Sequence, residues 1–320
     1  MAELERERFR LLVKISRLYY EEGLHQQEIA ERLGISRPHV SRMLSAAKNE
    51  GIVQVTIRNP FSAEQDLEKE LIDTFGIQDA IVVDAHEEDE MKLIEQLGRT
   101  AAALLESVLK DGDVVGVMAG RTVAAIARGI DYVARSGLQM VPLVGGWGSE
   151  GGEWHAGSNA MALADRLKAK YWLLHAPAVV ASEETAALLR SEPEIDKTLR
   201  QARGCRVAII GIGEVSANAT MVRAGQVSEA ELAALCGQGA AANVCASFVD
   251  EYGAEIDFPG RGRFIGLTAK ELRAIPSVIG IAGGASKAKA IMAALRGRWV
   301  DILVTDAAAA RNVLEMHRGG

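Results

Sequence analysis

The sequence predicts an α/β protein in two parts, a small N-terminal helix-turn-helix unit and a larger parallel-sheet unit behind it. Three observations carry this. Residues 4–49 hold three runs of helical apolar spacing, punctuated by Gly23, Gly34 and Gly51. From residue 80 onward, short strand-like apolar runs alternate with helical stretches, and several runs end in glycine, as in a parallel sheet covered by helices. The chain is 320 residues long, enough for two domains and for a core that needs no staples.

Leu4, Leu11, Leu12, Ile15, Leu18 and Tyr19 place the first helix over 4–22, with Gly23 as its stop. A short second helix spans 25–33. Gly34-Ile35-Ser36 forms a turn, and Ser36 can cap a third helix over 37–49, with Pro38 in its first turn, where a missing N–H costs little. Residues 52–57 (IVQVTI) alternate in strand fashion and read as a wing. Asn59-Pro60-Phe61-Ser62 breaks both periodicities, which divides the chain into 1–58 and 59–320. A helix over 63–75 leads into the second part. There, strands are expected at 80–83, 113–118, 138–144, 206–210, 277–281 and 300–305, with helices near 88–109, 121–135 and 286–296.

Charge separates the two parts. Residues 1–58 carry 10 Lys/Arg and 8 Asp/Glu, a net of +2, whereas 59–320 carry 26 and 35, a net of -9, and these sum to the chain's -7. A nucleic-acid face therefore belongs near the N-terminus, because the acidic remainder repels a phosphate backbone. Cys205, Cys236 and Cys245 are odd in number and form no CxxC pair, so neither a disulfide framework nor a zinc site is expected. The charged N-terminus (MAELERERFR) is no signal peptide, and no apolar run approaches the ~18–20 residues that span a bilayer. A cytoplasmic protein without metal, cofactor or membrane partner is expected.

The segment HQQEIAERLGISRPHVSRMLSAAKNEGIVQV has a helix-turn-helix layout. Ile29, Ala30 and Leu33 supply one apolar face, Ile35, Val40 and Leu44 the other, and Gly34 a turn open to positive φ. No acidic residue occurs from 34 to 49. A recognition helix needs such a run: donors toward guanine and phosphate, without carboxylate repulsion. The plain alternative is a helical hairpin with a solvated basic face; the full order of acidic helix, glycine turn, serine cap, basic helix and strand favours double-stranded DNA. Arg37, His39 and Arg42 are the base-reading candidates. Ser36, Ser41 and Lys48 suit phosphate, and Gln27 of the second helix completes the set of DNA-binding candidates.

In the second part, Gly116–Thr122 joins a strand to a helix. Its glycines allow close backbone approach, the helix start favours an anion, Thr122 adds a hydroxyl, and Arg121 could pair with phosphate or carboxylate. A plain strand-to-helix turn explains the same residues. IAGGASKAKAI (281–291) repeats the pattern, with Lys287 in the first turn of its helix and Lys289 solvated. Asp250 precedes a Gly253 turn and is read either as a site residue or as turn chemistry; Asp306 is read as a cap for the last helix.

The chain resembles the SorC/DeoR-type family of sugar-responsive bacterial regulators over nearly its whole length. The motifs are LYYEEGLHQQEIAERLGISRPHVSRML, GVMAGRT (116–122), VPLVGGWG (141–148), GIG (211–213), FVDEYG (248–253), IPSVIGIAGGASKAKAIMAALRG (275–297) and VDILVTDAAAA (300–310). The resemblance implies a Rossmann-like effector domain similar to sugar-phosphate isomerases and deaminases, binding a sugar or sugar phosphate. It implies a phosphate cradle at Gly120, Arg121 and Thr122, with Lys287 on the anion. It also implies that Gly145, Gly146, Gly211 and Gly213 line the pocket, with Asp250 nearby, and that the homo-oligomer is a tetramer, whereas the paired half-sites read by helix-turn-helix proteins by themselves lead to the expectation of at least a dimer. Helices 4–22 and 63–75 are the candidates for that contact. Two departures stand out: GAAAN (239–243) replaces a GAVGD-like segment, placing Asn243 where the family has an acid, and TDAAAA (305–310) replaces TDExTA. Asparagine both donates and accepts, so the ligand need not match the family's commonest one.

An enzyme is the competing reading, since fold does not fix function. A sugar isomerase needs a general base at a strand end. Glu214 and Asp250 are the only tempting carboxylates, no histidine pairs with them, and GIGEVS (211–216) lacks the last glycine of a dinucleotide fingerprint. No catalytic residue is assigned. A purely architectural DNA-binding oligomer would leave the large domain without a use.

Overall fold

The computed structural model describes residues 2–53, 62–84, 89–131, 135–147, 154–217, 219–223, 225–258 and 260–319. Two compact units divide the chain, Met1–Pro60 and Phe61–Gly320.

The first unit is built from α1 (Ala2–Tyr20), α2 (Gln26–Leu33) and α3 (Arg37–Asn49). Leu12, Ile15 and Leu18 of α1 meet Ile29 and Ala30 of α2 and Val40, Met43, Leu44 and Ala47 of α3 in one core. Ala30 adds only a methyl at the helix crossing. Gly34 takes φ +67° and turns its N–H back onto the carbonyls of Ala30 and Glu31, closing α2. Ser36 then accepts the His39 N–H at 3.3 Å and starts α3, with Pro38 in its first turn. Of the expected wing strand, residues 54–57 lie outside the described residues, as does most of the Asn59-Pro60-Phe61-Ser62 break. Ile52 and Val53 pack on the core.

The second unit runs α4 (Ser62–Phe75), β1 (Asp79–Val83), α5 (Glu90–Val108), β2 (Val114–Val117), α6 (Arg121–Gly129), β3 (Gln139–Pro142), α7 (Ala156–Leu167), β4 (Lys170–Tyr171), α8 (Glu183–Ser191), α9 (Pro193–Arg203), β5 (Val207–Glu214), α10 (Thr220–Arg223), α11 (Glu229–Gly237), β6 (Ala240–Val244), β7 (Ser247–Asp250), α12 (Ala269–Arg273), β8 (Ser277–Ile281), α13 (Ala288–Arg296), β9 (Ile302–Asp306) and α14 (Ala307–Gly319). The main sheet has the order β1-β9-β8-β5-β2-β3-β4, and its paired strands are parallel. Alternate residues feed opposite faces. Val207, Ile209, Ile279 and Val304 join Leu97, Ile126 and Leu163 of α5, α6 and α7. Ala208, Ile210, Val278 and Leu303 join Ile291, Leu295 and Val313 of α13 and α14. Burial on both faces is why these strands read as continuous apolar runs.

Two glycines set α5 against α6. A Cβ on Gly98 would sit 2.5 Å from the Ala125 Cβ, and one on Gly129 2.7 Å from the Arg99 Cα. That close crossing fixes the starts of both helices, which carry Glu90 and Arg121. The expected helix over 121–135 leaves α-helical geometry at Gly129, where Ile130 turns extended and buries. The expected helix near 286–296 begins as a 3-10 turn over Ala285–Lys287 before α13.

Candidate functional site

The central neighbours β8, β5 and β2 end side by side. A cavity of about 400 Å³ opens beyond their carboxyl ends, the usual ligand position in open α/β sheets. Each strand sends a differently shaped loop to it.

From β2, Gly120 leaves at φ +133°, in the region that favours glycine, and serves as the N-cap of α6. The first-turn N–H groups of Arg121, Thr122 and Val123 precede the first intrahelical bond, which runs from Ala124 N–H to the Gly120 carbonyl. Asn159 of α7, fully buried, pins this loop by donating from Nδ2 to the carbonyls of Met118 (3.0 Å) and Gly120 (3.3 Å). The Gly120 N–H donates to the Trp154 carbonyl at 2.8 Å. From β8, Gly284 at φ +96° enters the 3-10 turn that ends at Lys287. Asp306 holds that entry: its Oδ2 accepts the Gly284 N–H at 2.6 Å while its Oδ1 takes Ala308 and Ala309 N–H. The expected cap of the last helix is therefore present, and it also anchors the lysine loop. From β5, the strand overruns the sheet and pairs antiparallel with β6, setting Gly213 opposite Asn243. Asn243 is buried, and its Nδ2 donates to the Ser247 carbonyl at 3.0 Å.

Four charged side chains reach this cavity: Glu90, Arg121, Glu214 and Lys287. Arg121 Nη2 donates to Glu90 Oε1 at 2.5 Å, and both side chains are exposed. Glu214 accepts from Ser216 Oγ at 2.8 Å. The Lys287 ammonium makes no hydrogen bond or ion pair among the described residues, while its backbone N–H donates to the Gly284 carbonyl at 3.0 Å. Burial holds its ammonium below the usual lysine range; the Glu214 carboxylate opposes that shift, the Arg121 guanidinium adds to it, and Glu90 opposes it more weakly. A desolvated cation with no close partner among the described residues, lining the same cavity as the first-turn N–H groups of a helix, is an anion-binding arrangement.

The sequence-expected residues divide. Gly120, Arg121, Thr122, Gly211, Gly213, Asn243 and Lys287 line the cavity. Gly145, Gly146 and Asp250 do not. A Cβ on Gly145 would meet the carbonyl oxygens of Ala176 and Pro177 at 2.5 Å, and Gly146 bonds that segment through its N–H to Ala176 O and its carbonyl from Ala178 N–H. These glycines serve a close chain crossing. Asp250 Oδ1 accepts the N–H groups of Tyr252 (2.9 Å) and Ala254 (2.8 Å), which is turn chemistry. Glu90, Trp147 and Ser286 line the cavity without having been expected. Trp147 follows the Gly145-Gly146 pair directly, which is a usable signal. Glu90 reads as an ordinary helix-start acid and gives none.

In the first unit, Arg37, Ser41, Arg42 and Lys48 are exposed on α3, and His39 is half-buried. The Ser36 hydroxyl is committed to its cap, and the Gln27 amide donates to Glu31 Oε1 at 2.9 Å. The Lys48 ammonium lies 5.9 Å from the Tyr20 ring centre. Pro38, Arg42, Ser45 and Asn49 follow one another at helical spacing along the exposed face opposite the buried Val40, Met43, Leu44 and Ala47. Ser45 and Asn49 extend the stripe beyond the expected residues.

A family model described as "Putative sugar-binding domain" matches residues 59–315, and a homeodomain-like model matches residues 3–56. The chain belongs to the SorC/DeoR-type family of sugar-responsive transcriptional regulators. Relatives in this family match end to end. The deoxyribonucleoside regulator of Bacillus subtilis is 30% identical over 308 residues, 96% of this chain and 98% of that one. The transcriptional regulator LsrR of an Enterobacter strain is 31% identical over 310 residues, 96% of this chain and 93% of that one. The crystal structure of the full-length sorbitol operon regulator SorC from Klebsiella pneumoniae superposes with a TM-score of 0.75 at 28% identity, covering 95% and 98% of the two chains. As in this family of regulators, the chain joins a DNA-binding helix-turn-helix to a parallel-sheet sugar-binding domain. Among the described residues, no helix is long and apolar enough to cross a membrane.

Proposed function

We propose that the effector of this regulator is a phosphorylated sugar bound in the cavity over β8, β5 and β2. The observation that carries the reading is Lys287, a desolvated ammonium with no close partner among the described residues, facing the same cavity as the α6 N-terminus. The phosphate sits on the N–H groups of residues 121–123 and the Thr122 hydroxyl, with Lys287 as counter-charge. Asn243 and Glu214 take sugar hydroxyls at the other wall. Asparagine offers both a donor and an acceptor there, so the site suits a hydroxyl in either role. Among the described residues that line the cavity there is no histidine.

The N-terminal unit reads an operator through α3, with Arg37, His39 and Arg42 toward bases and Ser36, Ser41, Lys48 and Gln27 toward phosphates. The protein acts as a homo-oligomer, dimer or tetramer, joined through α1 and α4, because paired half-sites need paired helices. Ligand binds one DNA-binding arrangement better than the other and shifts the population between them. The relatives' names mention deoxyribonucleosides and a sorbitol operon, and phosphorylated pentoses and hexitols head the test panel for that reason. In a thermal-shift screen, a ligand at ~100 times its dissociation constant adds about 2.7 kcal/mol of stability. Hits confined to phosphorylated compounds, and absent in Lys287→Ala, are expected. Hits only among unphosphorylated compounds would remove the phosphate from the reading.

A further inference from the structure

We propose that Glu90 is a built-in competitor for the effector's anion, occupying Arg121 until a phosphate displaces it. The inference rests on the anion-binding reading of the cavity.

The geometry is specific. Glu90 is the first residue of α5 and Arg121 the first of α6, and both side chains line the cavity. Gly98 and Gly129 lock the two helices at a close crossing, so the two helix starts are held in fixed register. In that register Arg121 Nη2 sits 2.5 Å from Glu90 Oε1. The guanidinium that would complete an anion site with Lys287 is therefore ion-paired to Glu90. With Glu214 also on the wall, the described lining presents two cations and two carboxylates, which cancel. An incoming dianion meets no large attractive field and must take Arg121 from a carboxylate at the rim.

The magnitude follows from exposure. Glu90 and Arg121 keep 64% and 45% of their side-chain surface. Exposed ion pairs are weak and screened by salt, so breaking this one lowers phosphate affinity by only about two- to five-fold. Such a penalty sets a threshold without blocking the site. A structural clamp would act in the opposite sense: if Glu90 served to hold Arg121 in a useful position, removing its charge would weaken anion binding.

The test uses the full-length protein and inorganic phosphate as the probe, titrated by calorimetry in a sulfate-free, phosphate-free buffer at low salt. Glu90→Gln keeps the side-chain shape and removes the charge. It is expected to bind phosphate about two- to five-fold more tightly than wild type, and the gain should shrink in 1 M salt, where the Debye length falls to about 3 Å. Equal or weaker binding by Glu90→Gln overturns the proposal. Lys287→Ala is measured alongside to separate two failures. If Lys287→Ala loses phosphate while Glu90→Gln is unchanged, the competitor role is wrong and the cavity reading stands. If neither variant alters phosphate binding, phosphate does not bind in this cavity and both readings fall.

Discussion

Asn159→Ala tests how the cavity is held in shape. Asn159 is 2% exposed, and its Nδ2 is placed to serve the carbonyls of Met118 and Gly120 at 3.0 and 3.3 Å. Those carbonyls belong to the loop that delivers the α6 N-terminus. Alanine leaves both without this donor, and an unsatisfied buried acceptor costs about 1–3 kcal/mol. The Gly120 carbonyl keeps the Ala124 N–H, so the loss is nearer one orphan than two, about 2 kcal/mol. For a domain of this size, 1 kcal/mol corresponds to roughly 2–4 °C in Tm, which predicts a fall of about 4–8 °C by calorimetry. The loop also loses its pin, so phosphate affinity should drop as well, because a site is only as good as the shell that holds it. Asn159→Asp separates hydrogen bonding from shape: it fills the same volume but sets an acceptor against two acceptors, and should be at least as damaging as alanine. A Tm within 1 °C of wild type in both variants, with unchanged phosphate affinity, would refute the positioning role.

Arg42→Ala should cost ~1–3 kcal/mol on operator DNA and much less on random duplex, by fluorescence anisotropy, if the side chain reads a base; equal losses would make it a phosphate contact. Burial pushes the Cys205 and Cys245 thiols up to about 12, whereas Cys236 is exposed, so iodoacetamide at pH 8 should label one cysteine per folded chain by intact mass, and labelling of two or more would contradict the buried placement. Lys287 has a depressed value in the folded protein, so the unfolded chain binds the extra proton between the folded value and the ordinary lysine value. Stability of wild type relative to Lys287→Met should accordingly rise as pH climbs through that alkaline window, and parallel denaturation curves across it would contradict the desolvated placement.

Local chemistry was legible, and long-range geometry was not. The Gly34 turn, the Ser36 cap and the Pro38 position are each decided within a few residues, and the structure shows all three. The run SVIGI is a strand over the expected residues because burial on both faces makes it uniformly apolar. Lys287 and Gly120–Thr122 were found because each follows a strand-end glycine. Gly145 and Gly146 carry the same signal for another cause, a chain crossing at Ala176–Ala178, and sequence pattern cannot tell close approach to a ligand from close approach to a backbone. Asn159 and Glu90 act through partners 31–41 positions away, which no local periodicity encodes. The β6–β7 hairpin brings Asn243 to the cavity only through its antiparallel register with β5.

A ligand in the β8–β5–β2 cavity is expected to control DNA binding. The most direct measurement is the operator-binding isotherm of the full-length protein, taken with increasing concentrations of the sugar phosphate that gives the largest thermal shift, for wild type and Lys287→Ala. Wild-type operator affinity is expected to change about 5–150-fold, the range of a 1–3 kcal/mol coupling, and the variant's affinity is expected not to respond over the same concentrations. An equal response in the variant, or a stabilising ligand that leaves wild-type operator affinity unchanged, would contradict it.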